Sequence, residues 1–131
     1  MALLTQSQVE AVLTAAVVAD LTASDSAVVT TLLDQASDWL QEYAVGAGVT
    51  LTSGTMTASL VRRGAIAFAH FAATRTKKYR DAQGRTPYHV EYEAASAEME
   101  AWSKRVRPLS TDTAYEGPVV LSEDSRGWNA D

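Results

Sequence analysis

The longest helical pattern in this chain lies in residues 24–44, SDSAVVTTLLDQASDWLQEYA. Its apolar residues recur at spacings of three and four, which places them along one stripe of an α-helix. The stripe consists of Val28, Val29, Leu32, Leu33, Ala36, Trp39, Leu40 and Tyr43. The acids fall mostly on the opposite side: Asp25, Asp34, Asp38 and Glu42. At 1.5 Å per residue the helix would be ~30 Å long, enough to cross a small domain.

Both ends of this helix carry recognisable signals. Ser24 or Asp25 can cap the first turn, because a side-chain oxygen there accepts from a backbone N–H group that has no partner inside the helix. Gly46 and Gly48 can end the last turn, because glycine adopts the left-handed conformation without strain.

Three further helical patterns surround the long one. A first helix is predicted over about residues 6–18, a third over about 58–79 and a fourth over about 87–106. Residues 44–59 between the second and third are rich in Gly, Thr and Ser, which indicates a loop or a short hairpin. The sequence therefore predicts an all-α bundle of about four helices.

The core of this bundle should form around the long helix. Small residues of the third helix, Gly64 among them, let another helix approach closely. We expect these core residues: Leu32, Leu33, Trp39, Leu40 and Tyr43, with Phe68, Phe71, Tyr92 and Trp102 packed on them.

The C-terminal segment differs from the rest of the chain. Pro108 ends the last helix, and residues 108–131 have no helical period. A tail this long is uncommon in a compact domain unless it is disordered or functional. Disorder predicts few aromatic and β-branched residues, but the tail keeps Tyr115, Val119, Val120, Leu121 and Trp128. We expect a helical domain over residues 1–107 and an extended arm over 108–131 that docks on a partner, with a short strand at 119–121 as an option.

Composition excludes several classes of function. The length of 131 residues fits one domain. The absence of cysteine excludes a disulfide framework, a thiolate metal site and a cysteine nucleophile. The longest run of small apolar residues, 64–73, is too short to cross a bilayer, so no membrane partner is expected.

No motif in the chain points to catalysis. His70 and His89 lie on different predicted helices without a carboxylate at ligand spacing; we interpret His70 as a packed residue and His89 as exposed. The glycines form no phosphate-binding motif, and no serine has a nucleophile-elbow context. We expect four glutamates of the last helix to be solvated: Glu91, Glu93, Glu98 and Glu100. The sequence thus predicts a protein that is not an enzyme, with no catalytic residue, cofactor or metal.

Charge is strongly segregated along the chain. Residues 1–61 contain six acids and no Lys or Arg. Residues 62–85 contain seven bases against one acid, a net charge of +6, and residues 108–131 contain five acids and one base, a net charge of −4. Oppositely charged faces of this kind can meet on neighbouring copies of one protein.

The basic stretch from Arg75 to Arg85 raises a nucleic-acid alternative. Its cations, interleaved with Tyr79, could contact phosphates in a strongly salt-dependent way. The acidic overall balance and the lack of a helix-turn-helix pattern argue against specific DNA recognition. A small nucleic-acid-binding accessory protein is therefore the second hypothesis.

Four segments carry a family resemblance. The long helix ends DWLQEY at residues 38–43, and the third helix begins LVRRGAIA at 60–67. The last helix closes RPL at 107–109, and the arm ends in SRGW at 125–128. Over residues 5–128 the chain resembles the head–tail connector (adaptor, or head-completion) proteins of tailed bacteriophages and phage-derived particles.

The resemblance implies a structural role in the virion. It implies a homo-oligomeric ring, commonly a dodecamer, below the portal protein at the capsid vertex, assembled in the cytoplasm of the bacterial host. Such a ring extends the channel through which DNA passes without specific binding, and offers a docking surface to the next neck or tail protein. Family members often have prolines in the loop after the long helix, where this chain has Gly46, Gly48 and Gly54.

Two groups of residues are predicted to contact partners. The first group would meet the portal or a neighbouring subunit, by adding a strand to a sheet edge and by anchoring an aromatic side chain: Val119, Val120, Leu121, Arg126 and Trp128. The second group would form inter-subunit ion pairs or the channel wall: Arg62, Arg63, Lys77, Lys78 and Arg80. Exposed pairs of this kind orient neighbours more than they stabilise them.

Overall fold

The computed structural model describes residues 3–75, 77–79, 81–83, 85–105 and 109. In this part the chain is helical and contains no strand, which confirms the all-α class. The helices are α1 (Gln6–Leu13), α2 (Ala15–Thr22), α3 (Ser26–Ala47), α4 (Ala58–Thr74) and α5 (His89–Ser103), with 3-10 turns at Ser53–Thr55 and Lys77–Tyr79. Most of the predicted arm, including the optional strand at 119–121, lies outside the described residues.

The predicted first helix is in fact two helices that meet at Thr14. Thr14 has a φ of 80°, and its hydroxyl caps α2 by accepting from the Val17 N–H at 3.3 Å. In one continuous helix Val9 and Val18 would lie ~2.5 turns apart, on opposite faces. The break allows both valines to reach the core, where each is at most 1% exposed.

The long helix α3 has the ends that the sequence allows. Asp25 caps it, since its carboxylate accepts from the Ala27 N–H at 2.9 Å. Gly48 ends it with a φ of 76°. Arg105, just beyond α5, donates from Nε and Nη2 to the Ala47 carbonyl at 3.2 and 2.9 Å, so a free carbonyl at the end of α3 is bound by a side chain.

Gly64 of α4 sits at the closest approach in the core. A Cβ atom built there would lie 2.6 Å from Leu4 Cδ1 and 2.9 Å from Leu40 Cδ1. Leu4 belongs to the N-terminal segment, which is held by hydrogen bonds from the Leu3 and Leu4 N–H groups to Ser37 Oγ. The prediction that small residues on this helix permit close packing is therefore confirmed. The helix ends at Thr74, five residues earlier than predicted.

The expected core residues all belong to the apolar cluster. Four of them are buried, and the other five are partly buried against the cluster: Leu32, Trp39, Leu40 and Phe68 in the first set, with Leu33, Tyr43, Phe71, Tyr92 and Trp102 around them. Loop residue Leu51 also reaches the cluster, while Val49 is exposed; no hairpin forms there.

The expectation that Glu91 is solvated is wrong. This side chain is only 8% exposed. Glu91 lies three residues after Tyr88 and four before Ala95, which places it on the same stripe of α5 as these two buried residues. Glu91 therefore occupies a buried position of α5 that the helical period would assign to an apolar residue.

Candidate interaction surfaces

Three carboxylates form a ridge on the outer face of α3. Asp34, Asp38 and Glu42 are exposed and follow one another every four residues, so they are spaced ~6 Å along the helix axis. Within the described residues, none of the three forms an ion pair. Like charges at this spacing destabilise a helix by roughly 0.2–0.5 kcal/mol per pair. A cationic surface on another molecule would reduce the repulsion between the carboxylates of this acidic ridge.

The basic end of the bundle consists of Arg75, Lys78 and Arg85, which are all exposed. It lies next to the end of α2, because Lys78 Nζ is 3.5 Å from Asp20 Oδ1. Arg85 Nε is 3.5 Å from Asp81 Oδ2. Its backbone N–H donates to the same carboxylate and holds the pKa of Asp81 below its usual range. Both ion pairs are exposed and contribute little to stability.

These pairs weaken the nucleic-acid alternative. A surface that neutralises phosphates gains affinity from each cation that it presents. Lys78 and Arg85 already face carboxylates of their own chain, and Asp20 comes from the part of the sequence that contains no cations. In the folded chain, these carboxylates offset part of the positive charge that the basic stretch would otherwise present to a nucleic acid.

A hydrogen bond joins α2 to the turn after α4. The Tyr79 hydroxyl donates to Asp20 Oδ2 at 2.5 Å. This bond lowers the pKa of Asp20 and raises that of Tyr79, since it favours the charged carboxylate and the neutral phenol. The two residues are 59 positions apart, and no sequence pattern connects them.

Beside this bond lies an open cleft of about 280 Å³. Helix α2 contributes Ala16, Val17, Leu21 and the exposed Asp20, and the other wall is formed by Tyr79, Pro87 and Tyr88. Burial raises the pKa of Tyr88 to about 12, so this phenol is neutral at physiological pH. The cleft is therefore mostly apolar, with one carboxylate on its lining.

The placement of Arg63 corrects its predicted role. The side chain is only 1% exposed, and Nη2 binds Glu98 Oε1 of α5 at 3.0 Å. Nη1 donates to the Ser59 carbonyl at 3.1 Å and also contacts the Ser59 hydroxyl. Because the guanidinium is enclosed within its own chain, it can neither line a channel nor pair with a neighbour. It instead ties α4 to α5.

The remaining predicted contact residues are placed as follows. Arg62 is half-buried on α4, and Lys78 is exposed at the basic end. Lys77 lies in the 3-10 turn, but its side chain is outside the described part of the chain, as is Arg80. The interface residues of the arm are outside it as well, so their role stays a prediction: Val119, Val120, Leu121, Arg126 and Trp128.

His70 belongs to an aromatic cluster between α4 and α5. Its ring stacks on Tyr92 with centroids 4.0 Å apart, and Nδ1 is 3.1 Å from Thr86 Oγ1. The ring of His89 lies 6.5 Å away, and His89 Nε2 is 3.4 Å from Glu93 Oε1. The interpretation of His70 as a packed residue is confirmed. His89 is half-buried rather than exposed.

This cluster makes stability depend on pH. Burial, assisted by nearby His89 and opposed by Glu93, lowers the pKa of His70. The unfolded chain then binds a proton at His70 more tightly than the folded chain, so stability falls as the pH drops through about 6.5. His70→Gln should show a smaller loss of thermal midpoint between pH 7.5 and 5.5 than the natural chain. An equal loss in His70→Gln and the natural chain would contradict this assignment.

The described residues contain no group of three or more His, Asp or Glu side chains that could hold a metal ion. No single helix among them is long and apolar enough to cross a membrane. Helices α2 and α3 meet that criterion only as a pair, and the pair is bent by 104°.

No family model, curated protein or solved structure matches this chain.

Proposed function

We propose that this chain is a structural head–tail connector of a tailed phage or phage-like particle. Copies assemble as a ring under the portal protein, extend the DNA channel and present a docking surface to neck or tail proteins. The protein performs no catalysis. It is assembled in the host cytoplasm and resides at the portal vertex of the virion.

The observation that carries this proposal is the separation of charge on the folded surface. The acidic ridge has no cation partner among the described residues, and the basic end lies near the start of α3, where α2 ends. A ring places the same two surfaces of adjacent copies next to each other at every interface. The ridge of one copy can then meet the basic end of the next.

The energetics of such a contact fit an assembling protein. Exposed ion pairs contribute little to affinity individually, but complementary potentials steer association and fix the relative orientation of partners. The body supplies orientation, and the apolar residues of the arm supply the contact area that charge alone does not. The resemblance in the sequence supports a ring of this kind.

Sedimentation velocity tests the ring. The screening length falls from ~10 Å at 0.1 M salt to ~3 Å at 1 M, so we expect assembled species at low salt and a shift toward monomer at high salt. Asp38→Asn should weaken assembly at low salt. Glu93→Gln, which removes the same charge from an exposed position outside the acidic ridge, should not. A size that is insensitive to both salt and Asp38→Asn would contradict charge-guided assembly.

A further inference from the structure

The cleft between α2 and the start of α5 is suited to one large side chain. At about 280 Å³ it falls just below the ~300 Å³ at which small-molecule sites begin. The walls are aliphatic and aromatic, and the Asp20 carboxylate is exposed. This combination fits an aromatic side chain accompanied by a cation.

We propose that the cleft receives Trp128 from the arm of a neighbouring copy, with Arg126 of that arm paired to Asp20. This proposal rests on the ring-forming function proposed above and identifies one of its subunit contacts. In this arrangement Trp128 contacts the apolar wall of the cleft, and Arg126 of the same short segment contacts the Asp20 carboxylate.

The spacing of the segment matches the cleft. In an extended chain residues two apart project to the same side, ~6.6 Å from each other, so Arg126 and Trp128 can enter one site together. Gly127 between them has no side chain to block close approach of the backbone. Trp and Arg are also the side chains that most often dominate the affinity of protein interfaces.

Asp20 can accept the additional cation. Its Oδ2 is engaged by Tyr79, whereas the partner of Oδ1 among the described residues is Lys78 Nζ at a loose 3.5 Å. A carboxylate offers about four acceptor positions, so a guanidinium can bind without breaking the tyrosine bond. Charge-assisted bonds to a guanidinium are among the stronger hydrogen bonds in proteins.

Charge favours the arm of another copy over the chain's own arm. Residues 110–128 can span ~60 Å when extended, while α5 is only ~22 Å long, so reach permits both routes. The route within one chain would carry the acidic arm, with a net charge of −4 over residues 108–131, back along the exposed Glu93 and Glu100 of α5. An arm from a neighbour avoids that path and approaches the basic end directly.

Photo-cross-linking of the full chain tests this contact. Trp128 is replaced by p-benzoylphenylalanine, labelled and unlabelled copies are mixed, and cross-linked peptides are identified by mass spectrometry. We expect cross-links between labelled and unlabelled chains that map to residues 16–21 or 87–88. Cross-links within one chain only, cross-links to other regions, or none at all would overturn the proposal.

A cleft-filling variant provides the second measurement. Ala16 is exposed on α2, so Ala16→Tyr should fill the cleft without disturbing the core, and should remove most of the interchain cross-link. Ala11→Tyr, at an exposed position on α1, is the control. If copies still form rings on the portal while cross-links map elsewhere, only the cleft contact fails. A chain that neither assembles nor binds the portal would instead refute the connector function itself.

Discussion

Glu98→Ala is expected to lower the free energy of unfolding by about 2–3 kcal/mol. Removing one partner of a buried ion pair typically costs ~3–5 kcal/mol because the other charge stays buried without compensation. The arginine that would be left behind, Arg63, is 1% exposed. The value should fall below that range, since the Glu98 side chain is itself 38% exposed and its hydration is partly retained in the folded state.

Replacing the other partner of the ion pair should have a much smaller effect on stability. Arg63→Met keeps an unbranched apolar side chain in the same space, and the remaining Glu98 can be hydrated. We expect a change within about 1 kcal/mol, because replacing buried charges with apolar groups of similar volume is often neutral. In the double variant Arg63→Met/Glu98→Ala, stability should return close to that of Arg63→Met alone.

Urea unfolding followed by helical circular dichroism measures all three variants. Glu93→Ala is the matched control, since this glutamate of α5 is exposed and its ion pair among the described residues is a 3.4 Å contact with His89; its effect should stay within about 0.5 kcal/mol. Two results would contradict this account of the ion pair. One is additive effects of the two substitutions, and the other is an Arg63→Met variant as unstable as Glu98→Ala.

Deleting residues 118–131 is expected to abolish attachment to the portal while helicity stays nearly unchanged. The helices of the described residues end by Ser103, and every described core residue lies at or before Leu109, so the deletion removes no described packing contact. The truncated chain should therefore unfold at the same urea concentration as the full chain. It would lack the apolar residues 119–121, which we assign to the portal contact, and Trp128, which we assign to the neighbouring copy.

A second arm variant separates the effect of the arm's length from the effect of its side chains. Replacing residues 118–131 with a Gly/Ser segment of equal length keeps the reach of the arm but removes its apolar anchors, so attachment should be lost again. Retained binding of the Gly/Ser variant would show that the arm acts only as a spacer.

Local signals in the sequence predicted the helical framework well. The stripe on α3 and the caps at Asp25 and Gly48 depend on neighbouring residues, and the structure confirms them. The break at Thr14 was missed because helical spacing holds on both sides of it. It is imposed by the need to turn Val9 and Val18 toward one core, which only tertiary packing reveals.

The interaction surfaces were predictable only in part. Segregation of charge was visible along the chain, and the exposed acids of α3 agree with it. The partners of individual cations were not visible in the sequence. Arg63 pairs with Glu98, and Lys78 pairs with Asp20, across long sequence separations that leave no periodic signal. The cleft also combines residues from distant segments, so its shape follows from packing alone.

Electron microscopy of the purified portal mixed with the full chain or with the chain lacking residues 118–131 tests the central claim most directly. With the full chain we expect added ring-shaped density, coaxial with the portal and surrounding an open channel. With the truncated chain we expect the portal alone. Portal particles without added density in the presence of the full chain would contradict the connector function, and identical rings with both chains would contradict the role of the arm.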